Sequence, residues 1–143
     1  MHFEHSTLIP APLDVVWRLT TDIAAWPSFM TTVESLQRLD SGTLRVGSSA
    51  RVKNPGRSAS VWTVTRIEDK REFTWETRRP GFRMTGRHLL TPVPEGTRNT
   101  LVIDLDGWAS GLVGALAGGT LRRSIQGENE SFLRAAQPSS ATS

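Results

Sequence analysis

One histidine, His88, lies in the stretch GFRMTGRHLL, where polar and apolar side chains alternate. An imidazole titrates near neutral pH, so a histidine in a pocket can serve as a general acid or base. The alternation of a strand places His88 on the same face as Met84. The neighbouring Arg83 and Arg87 then lie on the opposite face. The sequence therefore predicts an inward-facing His88, which either does acid–base chemistry or hydrogen-bonds inside a cavity.

The chain has few candidate residues for other catalytic chemistry or for metal binding. His2 and His5 lie on one predicted strand and point to opposite faces, so they cannot form a local two-histidine metal site. There is no cysteine, which excludes thiolate nucleophiles, cysteine metal sites and disulfides. The sequence has no H-E-x-x-H motif, nucleophile elbow, phosphate loop or dinucleotide fingerprint. We therefore expect no metal and no cofactor.

Two arginines are candidates for polar contacts with a ligand. Arg51, in the segment SSARVKN, would pair with a carboxylate or enolate oxygen if it points inward, and it belongs to the solvated surface if it points outward. The segment is too short for its alternation to decide, and the orientation of Arg66 is equally open. Asp104 and Asp106 alternate with apolar residues, so we expect both to face solvent.

The net charge of +3 comes from 15 arginines and 2 lysines against 14 acidic residues, which raises the question of nucleic acid. The densest arginine group, at 78–87, lies on two predicted strands around the turn RRPGF. Those strands also carry Glu72 and Glu76, which would pair with the arginines and repel phosphate. We predict an ion-paired outer face and no nucleic-acid partner.

The order of predicted elements favours an α+β domain. Residues 2–9 are predicted as a strand, followed by a helix to about Leu19 and a second short helix in IAAW. Six strands follow between Val33 and Trp108, separated by the turns DSG, NPG, RPG and PEG. The sheet therefore has seven antiparallel strands, with its apolar face packed on a long C-terminal helix.

The C-terminal helix is predicted over residues 112–136, with its regular part beginning near Thr120. The preceding GLVGALAGG is expected to be a flexible lead-in, because each glycine costs a helix about 1 kcal/mol relative to alanine. Residues 1–136 are thus expected to form one domain, followed by a disordered tail at 137–143.

Membrane and secretory segments are not expected. The longest uncharged run is interrupted by glycines and is too short to span a bilayer. The N-terminal stretch MHFEHSTLIP lacks the basic start and apolar run of a secretory signal. We therefore expect a cytoplasmic protein, as a monomer or homodimer.

Three long stretches of the chain resemble a known family. They are IPAPLDVVWRLTTDIAAWPSFMTTVESLQRL, VWTVTRIEDKREFTWETRRPGFRMTGRHLL, and LDGWASGLVGAL before a glutamate-bearing helix. In their order and in the positions of AWP, W-x-V, F-x-W and H-x-L they resemble the polyketide cyclase/dehydrase group of the START-like (SRPBCC) superfamily, over nearly the whole chain. The resemblance implies the helix-grip fold, a curved antiparallel sheet wrapped around the C-terminal helix with a largely apolar cavity between them.

Aromatic residues make up most of the predicted binding site. Trp62, Phe73 and Trp75 fall on the predicted inner face, and the resemblance implies that Trp26 and Phe29 border the cavity mouth. Aromatic walls with a few polar groups suit an apolar ligand. The predicted ligand-binding set is Trp26, Phe29, Trp62, Phe73, Trp75, Met84, His88 and Trp108, the last beside the final helix.

Three hypotheses about function remain open from the sequence. Members of the resembled group mostly bind hydrophobic small molecules, which favours a lipid- or polyketide-like ligand here. A minority cyclise or aromatise polyketides, and here that chemistry would use His88 as acid/base and Arg51 as oxyanion partner. The chain has no tyrosine, whose hydroxyl commonly helps to line such cyclase sites. A protein-interaction module is the third hypothesis, supported by the surface arginines and the glycine-rich segment.

Overall fold

The computed structural model describes residues 1–137, and the predicted tail lies outside the described residues from 138 onward. The strands are β1 (His2–Ile9), β2 (Ser35–Arg38), β3 (Ser49–Lys53), β4 (Ser60–Glu68), β5 (Glu72–Arg79), β6 (Phe82–Val93) and β7 (Gly96–Asp106). The helices are α1 (Leu13–Thr21), α2 (Trp26–Phe29) and α3 (Ser110–Ala136), with a 3₁₀ turn at Ile23–Ala25. All seven strands form one antiparallel sheet in the order β1-β7-β6-β5-β4-β3-β2. The predicted α+β architecture is therefore confirmed.

The hairpin of β5 and β6 has the predicted division into an inner and an outer face. Phe73 pairs with His88 across the two strands, and Trp75 pairs with Gly86. These inner residues are buried, since a period of two sends alternate side chains to the core. At the connection Gly81 has φ 88°, a conformation that glycine adopts without steric cost.

The outer face of the hairpin carries the predicted ion pairs. Arg83 lies 3.8 Å from Glu76 and 3.4 Å from Asp106, which belongs to the adjacent β7. Arg78 pairs with Glu76 at 3.3 Å. Arg66 is also on the exposed surface, with its guanidinium 3.4 Å from the Glu72 carboxylate. The open question about Arg66 is thus answered, because its partners hold it outside.

A register shift between β4 and β5 bends the sheet. The pairing passes from Val64 with Trp75 to Arg66 with Thr74, which leaves Thr65 as an extra residue on β4. Such a bulge increases the local twist and bends the strand.

Helix α3 begins at Ser110, so the prediction of a start near Thr120 is wrong. The glycines in its first half lie against the sheet: a Cβ at Gly118 would be 3.4 Å from the ring of Phe3, and Gly114 lies against Met1. Small residues let the helix and β1 approach closely. The packing of this segment on β1 therefore offsets the helical cost of the glycines.

The buried apolar residues form two separate clusters. The first joins the end of β1, α1, α2, strands β3 to β6 and the end of α3, and includes Trp26, Phe73 and Phe132. The second joins β1, β7 and the middle of α3, and includes Phe3 and Leu121. A domain of this size ordinarily packs one continuous core, so the division points to a space between the two clusters.

Candidate functional site

A cavity of about 330 Å³ lies between the sheet and α3. Trp26 and Trp75 of the first apolar cluster line it, and so do Leu121 and Ile125 of the second. The two clusters are thus the two sides of one space. Exposed lining residues, which include Arg57 on the β3–β4 loop, mark the opening of the cavity to solvent.

Trp26 is the centre of the aromatic wall. Its ring centroid lies 5.4 Å from that of Trp75, 5.4 Å from that of His88 and 6.3 Å from that of Phe132. Its indole N–H donates to the carbonyl of Leu19 at 3.0 Å, which fixes the ring orientation. Pro27, in the first turn of α2, suits a helix start because that position needs no amide donor. The short helix α2 therefore holds Trp26 rigidly over the sheet.

Trp62 and Trp75 extend the wall toward the opening. Their ring centroids are 5.4 Å apart, and both rings lie beside Gly86 on the inner face of β6. A Cβ at Gly86 would lie 3.4 Å from Trp75 and 3.5 Å from Trp62. The missing side chain leaves room for the two indoles to lie across the sheet. Met84 completes this side of the cavity.

His88 is buried among aromatic rings. The ring centroids of Phe73 and Phe132 lie 5.4 Å and 5.9 Å from that of His88, both nearly edge-on. Its Nδ1 is buried without a hydrogen-bond partner among the described residues. Burial lowers the pKa of His88 from 6.5 to about 3, because a low-dielectric surrounding disfavours the imidazolium. His88 is therefore a neutral imidazole at physiological pH.

Glu128 lines the cavity and is a residue that the sequence analysis did not single out. It is partly buried on the cavity wall. Burial raises the pKa of its carboxyl from 4.5 to about 7, because a low-dielectric surrounding disfavours the carboxylate. Glu128 follows Leu121 by seven residues and precedes Phe132 by four, spacings that keep all three on one helix face. That spacing indicated a position facing the sheet, but the charge of Glu128 favoured an exposed one.

Smaller polar groups lie at the same end of the cavity. The side-chain amide of Asn54 donates to the carbonyl of Thr32 at 2.7 Å, which ties the start of the β3–β4 loop to the chain before β2. The Thr32 hydroxyl is buried with no partner among the described residues, and both residues line the cavity. An unpaired hydroxyl beside an apolar space is a group that a bound molecule can satisfy.

Five of the predicted site residues lie together on the cavity wall, namely Trp26, Trp62, Trp75, Met84 and His88. Two others lie behind it. Phe73 is fully buried and packs edge-on against His88, while Phe29 packs on Phe132 at 5.8 Å between ring centroids. Both rings support the wall without forming its surface.

The predicted position of Trp108 needs correction, and the structure answers the open question about the orientation of Arg51. Trp108 is 90 % exposed, because Gly107, with φ 114°, turns the chain away from the sheet after β7. The indole lies on the outside, against Gly81. Arg51 is exposed on β3 between buried Ala50 and Val52, so it belongs to the solvated face and does not line the cavity.

Two features are absent from residues 1–137. In that range no group of three or more histidine, aspartate or glutamate side chains is arranged to hold a metal ion. The same part of the chain has no helix with the length and apolar character needed to cross a membrane.

A curved antiparallel sheet wrapped around a long C-terminal helix, with an aromatic-walled cavity between them, is the helix-grip fold that the sequence resemblance implies. The family model described as "Polyketide cyclase / dehydrase and lipid transport" matches residues 1–137. The chain belongs to this family.

Individual relatives agree with this assignment. A protein of Streptomyces halstedii that is provisionally named a polyketide cyclase is 31 % identical over 78 residues, which are 51 % of this chain and 68 % of the relative. The solved structure of the Zhui aromatase/cyclase from Streptomyces sp. R1128 matches with a TM-score of 0.76 at 20 % identity, covering 95 % of this chain and 93 % of that one. A START superfamily protein from Mycobacterium smegmatis matches with a TM-score of 0.74 at 15 % identity, covering 94 % and 96 %. The structural matches support the fold.

Proposed function

We propose that the protein binds a hydrophobic small molecule, lipid-like or polyketide-like, in the cavity between the sheet and α3. The observation that carries this proposal is the aromatic-walled cavity of about 330 Å³ that divides the apolar core. Protein interiors are otherwise packed as densely as organic crystals. Ligand pockets typically have volumes of about 300 to 1,000 Å³, so this space suits a small ligand.

Polar groups in the cavity would orient such a ligand without demanding charge. His88 is neutral at physiological pH, and the raised pKa of Glu128, about 7, leaves a large fraction of its carboxyl protonated there. A protonated carboxyl donates a hydrogen bond, and the buried hydroxyl of Thr32 can donate or accept one. These groups fit carbonyl or hydroxyl oxygens on an otherwise apolar body. Arg57 and Arg123 lie at the opening and would pair with a negatively charged group at one end of the ligand.

Replacing Trp62 by alanine should weaken the binding of a lipophilic dye, anilinonaphthalene sulfonate, by about tenfold. The loss corresponds to about 1.4 kcal/mol of apolar contact. Trp62 is only partly buried, so the fold should survive the change. The dissociation constant is measured by fluorescence titration, and circular dichroism checks the fold.

Trp17→Ala is the matched control, because Trp17 is also a partly buried tryptophan but does not line the cavity. It should leave dye affinity unchanged. Native mass spectrometry of freshly purified protein should in addition reveal a retained small molecule. If Trp62→Ala and Trp17→Ala bind the dye equally well, and no retained molecule is found, the binding proposal fails.

Catalysis of a dehydration or cyclisation on a polyketide-like substrate is the second candidate, and Glu128 is the observation that favours it. A carboxyl with a pKa of about 7 is suited to proton transfer near neutral pH. A histidine with a pKa of about 3 is a weak base and serves better as a hydrogen-bonding group. Arg51 faces solvent, which removes it as the oxyanion partner. In this candidate function Glu128 replaces His88 as the acid/base.

The enzyme candidate predicts that Glu128→Gln slows the dehydration of a β-hydroxy ketone by about 100-fold, the lower end of what a positioned acid/base contributes. The rate profile of the unchanged protein should have an inflection near pH 7, the pKa of the Glu128 carboxyl. Glu130→Gln, an exposed change on the same helix, should have no effect. A Glu128→Gln variant with full activity would exclude this mechanism.

A further inference from the structure

An apolar stripe on the surface is not explained by ligand binding inside the cavity. Trp108 is 90 % exposed, Leu112 is 64 % exposed and Leu116 is 79 % exposed. The spacing of four residues places Leu112 and Leu116 on one side of the first half of α3, and Trp108 lies just before the helix, against Gly81. Gly118 and Leu121, on the opposite side of the helix, are buried. Exposed apolar groups that cluster in this way usually mark a contact surface.

The stripe is continuous with the cavity opening. The amide of Ala109, next to Trp108, donates to the carbonyl of Gly81 in the β5–β6 turn at 2.8 Å. Arg79 of the same hairpin donates to the carbonyl of Ala59 in the β3–β4 loop at 3.1 Å. Arg57 of that loop lines the cavity together with α3 residues. We call residues 54–59 of the β3–β4 loop, residues 79–81 at the β5–β6 turn and residues 108–123 the mouth surface.

The mouth surface carries only positive charge. Residues 54–59, 79–81 and 108–123 contain no aspartate or glutamate. Within the described part of the chain, Arg57, Arg79 and Arg123 form no ion pair with an acidic residue. This contrasts with the outer face of the sheet, where arginines alternate with paired acids. The mouth surface is therefore both apolar and basic.

We propose that the mouth surface docks on a lipid bilayer that contains anionic lipids. Trp108, Leu112 and Leu116 enter the boundary between headgroups and acyl chains, and the arginines contact the lipid phosphates. Helices with an apolar side and basic neighbours bind membranes in this manner, and tryptophan favours the interface. Each basic residue near an anionic surface adds about 1 kcal/mol.

The charge distribution favours a membrane over a second copy of the chain. In a symmetric dimer the same patch meets itself, so the arginines of both mouth surfaces would face one another, and like charges across an interface are unfavourable. A membrane also accounts for the position of the stripe beside the cavity opening. An apolar molecule could then pass between bilayer and cavity without crossing water. Docking itself does not depend on the cavity being occupied.

Co-sedimentation with vesicles tests the proposal. The full chain should bind vesicles of phosphatidylcholine mixed with phosphatidylserine and bind poorly to phosphatidylcholine alone, and rising salt should reduce the bound fraction. The double change Leu112→Ser and Leu116→Ser should lower vesicle affinity by about tenfold or more, since two leucines lose their apolar contact. Val46→Ser is the control, because Val46 is 62 % exposed on the β2–β3 loop, away from the mouth surface.

Other outcomes overturn the proposal. The first is that the unchanged protein does not bind anionic vesicles, and the second is that the leucine variant binds them equally well. The third is that the protein does not bind vesicles but forms a dimer, which the leucine changes dissociate. Titration with anilinonaphthalene sulfonate separates this proposal from the proposed function. The leucine variant should bind the dye normally, because Leu112 and Leu116 do not line the cavity. Failure of dye binding in the unchanged protein would sink the proposed function and leave docking standing on the vesicle result.

Discussion

Replacing Trp26 by alanine should lower the free energy of unfolding by about 3 to 5 kcal/mol, the range for deleting a large buried aromatic side chain. Trp26 is 2 % exposed, and its ring is within 6.3 Å, centroid to centroid, of the rings of Phe73, Trp75, His88 and Phe132. The change also removes the hydrogen bond from its indole to the Leu19 carbonyl. Removing this ring should therefore loosen the contact between α2, the sheet and α3 together.

Urea unfolding at neutral pH measures this loss, and Trp108→Ala is the matched control. Trp108 is 90 % exposed, so its removal should change stability by no more than about 0.5 kcal/mol. A loss of under about 1 kcal/mol for Trp26→Ala, far below the usual cost of such a deletion, would mean that the aromatic wall is not packed as described.

Glu128→Gln should stabilise the protein increasingly as the pH rises from about 4.5 to about 7. Burial raises the pKa of Glu128 from 4.5 to about 7, so between these values the folded protein holds a proton that the unfolded chain has released. Stability then falls as pH rises through this window and levels off above it. The shift is worth up to about 3 kcal/mol at 1.36 kcal/mol per pKa unit, less whatever solvent at the opening screens.

Glutamine keeps the shape of the protonated acid, so it should remove this loss. The measurement is urea unfolding of both proteins at several pH values between 4.5 and 8. Glu130→Gln on the exposed side of α3 should change stability by no more than about 0.5 kcal/mol. A constant difference between Glu128→Gln and the unchanged protein at every pH would show that the Glu128 carboxyl is already well solvated in the folded state.

His88 has the opposite effect on the same pH profile. Its pKa falls from 6.5 to about 3 on burial. Below pH 6.5, therefore, the imidazole of His88 is protonated in the unfolded chain but stays neutral in the folded protein. Stability from this source is present above pH 6.5 and is lost as pH falls toward about 3. Between pH 4.5 and 6.5 the two effects oppose one another in the unchanged protein. Glu128→Gln should therefore uncover a stability that rises with pH over that range.

The sequence was sufficient for the fold and for the strand side of the cavity. Period-two alternation in β5 and β6 predicts that Trp75 and His88 face inward, because one face of this sheet is buried and a slip of one residue would reverse every side chain. Short turns between the strands indicate an antiparallel sheet. Neither signal depends on contacts with distant parts of the chain, which is why both predictions hold.

The orientation of Arg51, which was left open, and the misplaced Trp108 and start of α3 depend on contacts that local pattern does not encode. Arg51 lies on a strand of five residues, and its orientation is settled only by pairing opposite Gln37 and Val61 on the two neighbouring strands. The early start of α3 depends on Phe3, more than a hundred residues away, against which Gly118 packs. Trp108 is turned outward by the positive φ of Gly107. The periodicity of apolar residues does not predict such a turn.

Glu128 was missed for a different reason. Its position repeats the spacing of Leu121 and Phe132, but a carboxylate in an apolar stripe contradicts the expectation that charges face water. The helical spacing correctly indicates an inward position for Glu128, whereas its charge suggests a solvent-exposed one. A charged residue that keeps the phase of a buried helix face is a sign of a ligand-facing position.

The division of the apolar core means that the side chains of this protein do not fill its interior completely. The space between the two clusters is filled neither by Phe3 and its neighbours nor by Trp26 and its neighbours, so each side lacks partners for dispersion contacts. A bound molecule would act as the missing part of the interior, and its concentration would enter the folding equilibrium directly. Under the proposed function, the ligand-bound form would therefore be the more stable folded form of this chain.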